Sequence, residues 1–154
     1  MVLTVRTRET SGLHDHLGFW LRLVSNQVSD TFRQRLEVAG CTVTEWVALR
    51  TLLDADATHA SLVSALGMTK GAVSKVVARL EARSLVMRKP GGDRRSHALS
   101  LTSRGRALVP ELARLADEND TAFFGPLTSA QRRTLLGLLR GLARTHRIHA
   151  VPVD

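Results

Sequence analysis

The chain has 154 residues, of which 44% are hydrophobic and 23% are charged. This length and composition predict one folded domain and argue against both a disordered chain and a second, separately folded catalytic domain. The single cysteine, Cys41, excludes an intramolecular disulfide, and neither a signal peptide nor an apolar run of membrane-spanning length is visible. We therefore expect a cytoplasmic protein that does not enter a membrane.

Positive charge is concentrated in one quarter of the chain. Residues 69–106 hold ten Lys and Arg and two acidic residues, which accounts for the whole net charge of +8. The other residues hold 12 basic and 12 acidic side chains and are neutral together. A confined positive field is what a polyanion site requires, because each neutralised phosphate releases condensed counterions. The alternative is a solvated basic face that keeps the protein soluble.

The first third of the chain predicts a long helix and then a shorter one. Apolar residues recur every three or four positions from Leu13 to about Ala39, which is one face of a helix. Gly40 ends this helix. Thr42 and Glu45 have the spacing of a capping box, so a second helix begins after Thr42.

Two short helices that meet at a tight glycine turn come next. Thr58 can cap the first of them, Gly67 stops it, and Thr69 is the N-cap of the second. The apolar stripe of the second helix is Val73, Val76, Val77 and Leu80. The opposite stripe is Lys70, Gly71, Ser74, Lys75 and Ala78. If the first stripe faces the core, the second faces outward.

The hydrophobic period changes after Ser84, where the pattern predicts a β-hairpin. Residues 85–89 are short and β-prone, residues 90–93 form a turn cluster, and residues 99–101 alternate between apolar and polar. The hairpin therefore has a long, basic tip.

Two more helices follow the hairpin. Thr102 caps the first, in which Pro110 should introduce a kink, and Gly125 with Pro126 ends it. Thr128 then opens a capping box before the last helix. The predicted fold class is mainly α with a small β-hairpin wing, and the basic excess covers the second short helix, the hairpin and the next helix cap. A helix fits the major groove of B-DNA and a flanking hairpin can reach the adjacent minor groove.

The sequence resembles the MarR family, the multiple antibiotic resistance regulators, from about Leu13 to Arg147. Residues 66–81, Leu-Gly-Met-Thr-Lys-Gly-Ala-Val-Ser-Lys-Val-Val-Ala-Arg-Leu-Glu, look like that family's turn and recognition helix. Residues 85–88 look like its first wing strand. The Asp-Arg-Arg of residues 93–95 and the Leu-Ser-Leu-Thr-x-x-Gly of residues 99–105 are similar to its wing tip and next helix opening. The resemblance implies a winged helix-turn-helix regulator of transcription.

The second short helix is the predicted reader of the DNA major groove. Ser74 and Lys75 can reach base edges, Gly71 allows close approach, and Arg79 is better placed for phosphate. The full set predicted on this helix is Thr69, Lys70, Gly71, Ser74, Lys75 and Arg79. The alternative is that only the charges matter, through phosphate contacts.

The hairpin tip carries three further predicted DNA contacts, Asp93, Arg94 and Arg95. A carboxylate two residues from Arg95 can hold its guanidinium extended for an A·T-rich minor groove, and family members resemble this arrangement. An ordinary turn aspartate beside a solvated arginine is the alternative. Ser84 stands where the family usually has glycine, so it is strained if the turn needs positive φ.

The terminal helices are too extended for the small DNA-binding lobe alone to bury. We expect a single MarR-like domain in which residues 13–40 and 107–149 form a homodimer and residues 43–106 form the lobe. The resemblance implies that these terminal helices intertwine between two subunits, and two-fold symmetry predicts a pseudo-palindromic operator. A monomer with the helices packed on themselves is the alternative.

Regulation by a small molecule is implied by the resemblance alone. Family members bind small aromatic compounds between the dimerisation helices and the lobe, and Trp20, Trp46 and Arg50 are the candidate effector contacts. Tryptophans in apolar stripes are more often core residues. We expect a repressor that an effector releases, or alternatively a non-specific architectural DNA-binding protein.

Enzymatic and metal-dependent functions find little support. The sequence lacks a G-x-S-x-G elbow, a Walker loop, a dinucleotide glycine motif and an H-E-x-x-H pair, so we expect neither an enzyme nor a cofactor. A metal- or redox-sensing regulator of the same fold stays open as an alternative. The residues that suggest it are two histidine pairs, His14 with His16 and His146 with His149, and Cys41. Solvated termini and a small half-buried cysteine are favoured instead.

Overall fold

The computed structural model describes residues 10–90, residues 97–149 and Val153. Within this part of the chain the helices are α1 (Leu17–Val38), α2 (Val43–Asp54), α3 (His59–Leu66), α4 (Lys70–Ala82), α5 (Ser103–Phe124) and α6 (Ser129–Thr145). The strands are β1 (Ala57–Thr58), β2 (Val86–Pro90) and β3 (His97–Leu101). None of the helices described is both long and apolar enough to span a membrane. The predicted class, mainly α with a small wing, is confirmed.

The five threonines that precede α2 to α6 act as N-caps. Thr42, Thr58, Thr69, Thr102 and Thr128 each accept a hydrogen bond from the backbone N–H three residues later. Such a cap satisfies one of the N–H groups that the first turn of a helix leaves without a partner. Every start predicted from a threonine is therefore confirmed.

The first predicted helix is interrupted near its start. Residues Leu13–Asp15 form a turn of 3-10 helix, and His16 is extended with φ −95° and ψ 121° before α1 begins. The apolar period from Leu13 onward did not reveal this break, because a 3-10 turn and an α-helix both place residues three apart on the same side. The prediction of one continuous helix from Leu13 was wrong.

The wing is a three-stranded antiparallel sheet in the order β1, β3, β2. The two-residue β1 was not predicted. It lies along the edge of β3 opposite β2, and its Ala57 pairs with Leu99. Pro90 was assigned to the turn, yet it is the last residue of β2 and pairs with His97. A proline is tolerated there because β2 is an edge strand and needs no N–H donor on its outer side.

The hydrophobic core lies within the helix-turn-helix lobe and the part of α5 that packs on it. The buried apolar residues are Leu36, Cys41, Ala48, Leu49, Leu52, Leu62, Leu66, Val73, Val76, Val77, Leu80, Leu85, Val86, Leu99, Leu101, Val109 and Leu112. Only one of them, Leu36, belongs to α1. Among the residues that the structure describes, α6 contributes none.

Four described residues that follow helices have positive φ, and two of them are glycines. Gly40 ends α1 at φ 69° and Gly67 ends α3 at φ 62°, and glycine adopts this conformation without steric penalty. Ser84, after α4, has φ 57°. The expectation of a strained serine at this turn is therefore confirmed.

Candidate nucleic-acid interface

Helix α4 separates its apolar and polar faces as its sequence predicted. The residues Val73, Val76, Val77 and Leu80 are buried in the core. The residues Lys70, Gly71, Ser74, Lys75, Ala78 and Arg79 are all exposed. A Cβ atom added at Gly71 would meet nothing within 4 Å. The fold does not require glycine at this position, so the open backbone there is available for close approach by a ligand.

Ser74 on this face is tied to helix α3. Its Oγ donates to the Lys70 carbonyl at 2.9 Å and lies 3.0 Å from Nε2 of His59, the first residue of α3. The helical period predicted that Ser74 lies on the outward stripe, but it gave no sign that His59 is its neighbour. The two residues are 15 positions apart, and their contact depends on how α3 crosses α4.

A buried carboxylate joins α2 to the far end of α4. The Glu45 side chain is 5% exposed, and its two oxygens accept from Arg79 Nε at 3.1 Å and from Arg83 at 3.2 Å. It also accepts from the Thr42 N–H to complete the capping box. Because a buried charge needs partners, these hydrogen bonds explain how Glu45 stays inside the lobe.

This cluster changes the interpretation of Arg79. Its side chain is 54% exposed, and the hydrogen bond to Glu45 uses Nε, which is nearer the chain than the terminal nitrogens. Arg79 therefore holds α4 to α2, a role that the sequence analysis missed. Glu45 at the third position of α2 predicted the capping box. Nothing in the sequence pattern indicated that it also pairs with Arg79, 34 residues later.

The basic residues of strand β2 are paired with acids of the lobe. Arg88 donates to Glu81 at 2.8 Å, and Lys89 lies 3.6 Å from Asp56. Both basic side chains are about half exposed. The wing is thus anchored to α4 and to the loop before β1.

The predicted wing-tip contacts Asp93, Arg94 and Arg95 lie outside the residues that the structure describes. The strands that lead to them are described, and β2 and β3 pair in register from Val86 with Leu101 to Pro90 with His97. Their assignment as DNA contacts stays a prediction.

The junction of the wing with α5 explains the Leu-Thr-x-x-Gly motif. Thr102 Oγ donates to the Ser84 carbonyl at 2.7 Å and accepts from the Gly105 N–H at 3.0 Å. A Cβ atom at Gly105 would lie 2.1 Å from the Leu85 carbonyl oxygen, far inside van der Waals contact. Only glycine lets α5 approach Leu85, the residue before β2, this closely, so the motif fixes the wing relative to α5.

The three candidate effector residues each have a local partner. Trp20 donates from Nε1 to the His14 carbonyl at 2.8 Å and is 47% exposed. Trp46 packs against the core, and Arg50 is paired with Asp54 at 2.7 Å. Their assignment as effector contacts stays a prediction.

The cavities on the described surface include three of a few hundred Å³. One of about 270 Å³ lies between the end of α5 and α6, and Phe124 and Leu136 are among its walls. One of about 480 Å³ borders the cluster of Glu45, Arg79 and Arg83, and one of about 340 Å³ lies beside Leu108. The candidate effector residues Trp20, Trp46 and Arg50 do not line these three cavities.

Cys41 is more deeply buried than the sequence suggested, with 3% of its surface exposed. Burial, and secondarily the Glu45 carboxylate, raises the pKa of the Cys41 thiol to about 11. The thiolate that reacts with oxidants and metals is therefore scarce at neutral pH. Within the described residues, no group of three His, Cys, Asp or Glu side chains is placed to hold a metal ion.

Comparison with known proteins agrees with this arrangement. A family model described as "MarR family" matches residues 39–96. The repressor NicR of Pseudomonas putida is 30% identical over 128 residues, which cover 82% of this chain and 81% of NicR. The regulator HosA of Escherichia coli is 26% identical over 117 residues, covering 75% of this chain and 87% of HosA.

Solved structures show the same fold. BpsR of Bordetella bronchiseptica, whose DNA binding is regulated by 6-hydroxynicotinic acid, has a TM-score of 0.74 and 29% identity, covering 87% of this chain and 98% of that one. The MarR-family protein Rv2887 of Mycobacterium tuberculosis, solved with DNA, has a TM-score of 0.71 and 27% identity, covering 82% and 97%. These relatives are regulators of transcription, not enzymes. Regulators of this family bind DNA and act as dimers, and this chain belongs to the MarR family.

Proposed function

We propose that this chain acts in the cytoplasm as a homodimeric repressor that binds a pseudo-palindromic DNA operator and is released by a small aromatic molecule. The observation that carries the proposal is α4, the second helix of the helix-turn-helix, whose exposed face holds Lys70, Gly71, Ser74 and Lys75 beside a basic wing. A helix of this kind enters the major groove with its first turns. The paired strands of the wing then reach toward the adjacent minor groove.

The proposed DNA contacts divide into three kinds. Ser74 and Lys75 contact base edges, and Gly71 allows the backbone of α4 to approach the groove. Phosphates are held by Thr69, Lys70 and Arg79. At the wing tip, Arg95 enters the minor groove, Asp93 holds it extended, and Arg94 contacts the backbone.

The dimer is proposed from the surface that a single chain leaves uncovered. Leucines of α6 are 36–63% exposed, and Leu17, Trp20 and Leu21 of α1 are 47–88% exposed. A second copy of residues 13–40 and 107–149 buries these faces, whereas residues 43–106 remain the DNA-binding lobe. Two-fold symmetry then separates the two α4 helices by about 34 Å, one turn of DNA.

The effector is proposed from relatives. BpsR is regulated by 6-hydroxynicotinic acid. We propose that a small aromatic acid of similar size weakens operator binding through Trp20, Trp46 and Arg50. Adding 6-hydroxynicotinic acid to the complex with operator is the first test, and Trp46→Ala should then reduce its effect.

Selection of bound DNA from a random pool tests the proposal directly. We expect a pseudo-palindrome with A·T-rich flanks. An asymmetric half-site would contradict the dimer, and no preferred sequence at all would favour a non-specific architectural protein.

Variants then test the individual contacts. Arg95→Ala should weaken operator binding by about 1–3 kcal/mol, and Lys75→Ala should change the preferred base. Asp93→Ala decides the wing mechanism, because simple electrostatics predicts tighter binding and orientation of Arg95 predicts weaker binding. Arg22→Ala, which removes a charge from α1, is the control.

A further inference from the structure

We propose that Ser74 reads an amino group in the operator, because hydrogen bonds inside the protein occupy the only hydrogen of its hydroxyl. This inference rests on the proposed function, in which α4 lies in the major groove. Ser74 Oγ is exposed on α4, 2.9 Å from the Lys70 carbonyl oxygen and 3.0 Å from Nε2 of His59. Both neighbours belong to the protein, so the hydroxyl is already oriented before DNA is bound.

The hydroxyl has one hydrogen to donate and two lone pairs to accept with. If Nε2 of His59 carries a proton, Ser74 accepts from it and donates to the Lys70 carbonyl, which leaves one lone pair. If Nε2 is unprotonated, Ser74 donates to it or to the carbonyl. In either tautomer the single hydrogen is used within the protein, and Ser74 presents only an acceptor to a ligand.

An acceptor distinguishes bases in the major groove by their amino groups. Adenine N6 and cytosine N4 are donors there, whereas guanine O6 and N7 and thymine O4 are acceptors. Ser74 therefore favours A or C over G or T at one position of the strand that it faces. The expected signature is a degenerate amino preference, which differs from the single-base preference of a bidentate contact.

His59 is a positioning residue in this arrangement. It is the first residue of α3, is half-buried and follows the N-cap Thr58, so its ring is held against α4 by the packing of α3 on α4. Without the ring, the Ser74 hydroxyl keeps the Lys70 carbonyl as its one partner within the protein and is held less firmly as an acceptor. Discrimination against G and T should then relax.

The test compares selected operators for the wild-type protein and for the Ser74→Ala, His59→Ala and Ser64→Ala variants. We expect the wild-type protein to prefer A or C about five- to tenfold over G or T at one position of each half-site. Ser74→Ala should abolish that preference and leave the other positions unchanged. His59→Ala should reduce it, and Ser64→Ala, which removes an exposed serine hydroxyl from α3, should not.

Two outcomes overturn the inference alone. In one, Ser74→Ala leaves every position of the selected sequence unchanged. In the other, the position that it affects selects G or T in the wild-type protein. A wild-type protein that selects no sequence contradicts both the proposed function and this inference. Thermal unfolding of each variant shows whether it is folded, and a change at a single position cannot arise from a general loss of stability.

Discussion

Helices α4 and α6 are both amphipathic, yet they bury their apolar faces differently. All four apolar residues on the inner face of α4 are buried in the lobe. In α6, Leu135, Leu136, Leu138, Leu139 and Leu142 are 36–63% exposed, and no described residue of that helix is buried. In proteins, most of the stability of a helix comes from packing of its apolar face. The lobe thus completes its core with one chain, whereas α6 requires a surface from elsewhere, which we propose is a second subunit.

Gly105→Ala tests how tightly α5 packs on the lobe within a single chain. The added Cβ would lie 2.1 Å from the Leu85 carbonyl oxygen, so either α5 or the wing has to move. We expect a loss of about 3 kcal/mol in the free energy of unfolding, measured with denaturant. Gly71→Ala is the matched control, because its Cβ meets nothing within 4 Å.

That control should behave in the opposite way. Alanine is preferred over glycine within a helix, so Gly71→Ala should stabilise the lobe by about 0.5–1 kcal/mol and yet weaken operator binding. Equal stability of the two variants would show that the packing between Gly105 and Leu85 is looser than described.

Leu139→Glu tests the dependence of α6 on a partner. Leu139 is 40% exposed in the single chain, so a carboxylate there meets water in a monomer but an apolar surface in the proposed dimer. We expect the dissociation constant of the dimer to increase about 50-fold, measured by sedimentation over a concentration series. Unchanged secondary structure at low temperature would show that the lobe stays folded.

Gly137→Glu is the matched control for this variant. It adds the same charge two residues away, about 160° around α6, where an added Cβ meets nothing within 4 Å. The control should leave dimerisation nearly unchanged. A wild-type protein that is monomeric at micromolar concentration would refute the contrast between the two helices.

Glu45→Gln tests the buried charge that joins α2 to α4. The amide keeps the shape but weakens the hydrogen bonds from Arg79 and Arg83, whose side chains are 54% and 37% exposed. Because water screens those arginines, we expect a loss of only about 1–2 kcal/mol in the free energy of unfolding. Glu81→Gln, which removes the more exposed pair with Arg88, should change it by less than about 0.5 kcal/mol.

Arg79→Ala separates two possible roles of that side chain. If Arg79 also contacts phosphate, as we propose, Arg79→Ala should reduce the slope of log binding constant against log salt concentration by about one unit. If it serves only to hold Glu45, stability falls and the salt dependence does not change. Binding measured at two salt concentrations distinguishes the two results.

Ser84→Gly is expected to have the smallest effect. Ser84 has φ 57°, where a side chain is strained and glycine is not. We expect the lobe to gain about 0.5–1 kcal/mol and DNA binding to be unchanged. A destabilised variant would mean that the Ser84 side chain makes a contact that outweighs the strain.

Local chemistry determined most of the architecture from the sequence. Five threonine caps, the helix ends at Gly40 and Gly67, and the outward face of α4 were all predicted correctly. Each depends on residues three or four positions apart, so the signal lies within a short stretch of chain. The resemblance to the MarR family rested on short motifs of the same kind, among them the turn and recognition helix of residues 66–81 and the motif of residues 99–105 that ends at Gly105.

Only the tertiary structure decided which distant residues meet. Glu45 with Arg79, and His59 with Ser74, are joined across 34 and 15 positions, and no periodicity relates them. Strand β1 exists because two residues pair with β3, and a segment that short has no pattern of its own. The sequence therefore determined the elements and their faces, because those follow from local hydrogen bonding and side-chain spacing. The ion pair that anchors α4 and the partner that orients Ser74 follow from how helices cross, which local chemistry does not specify.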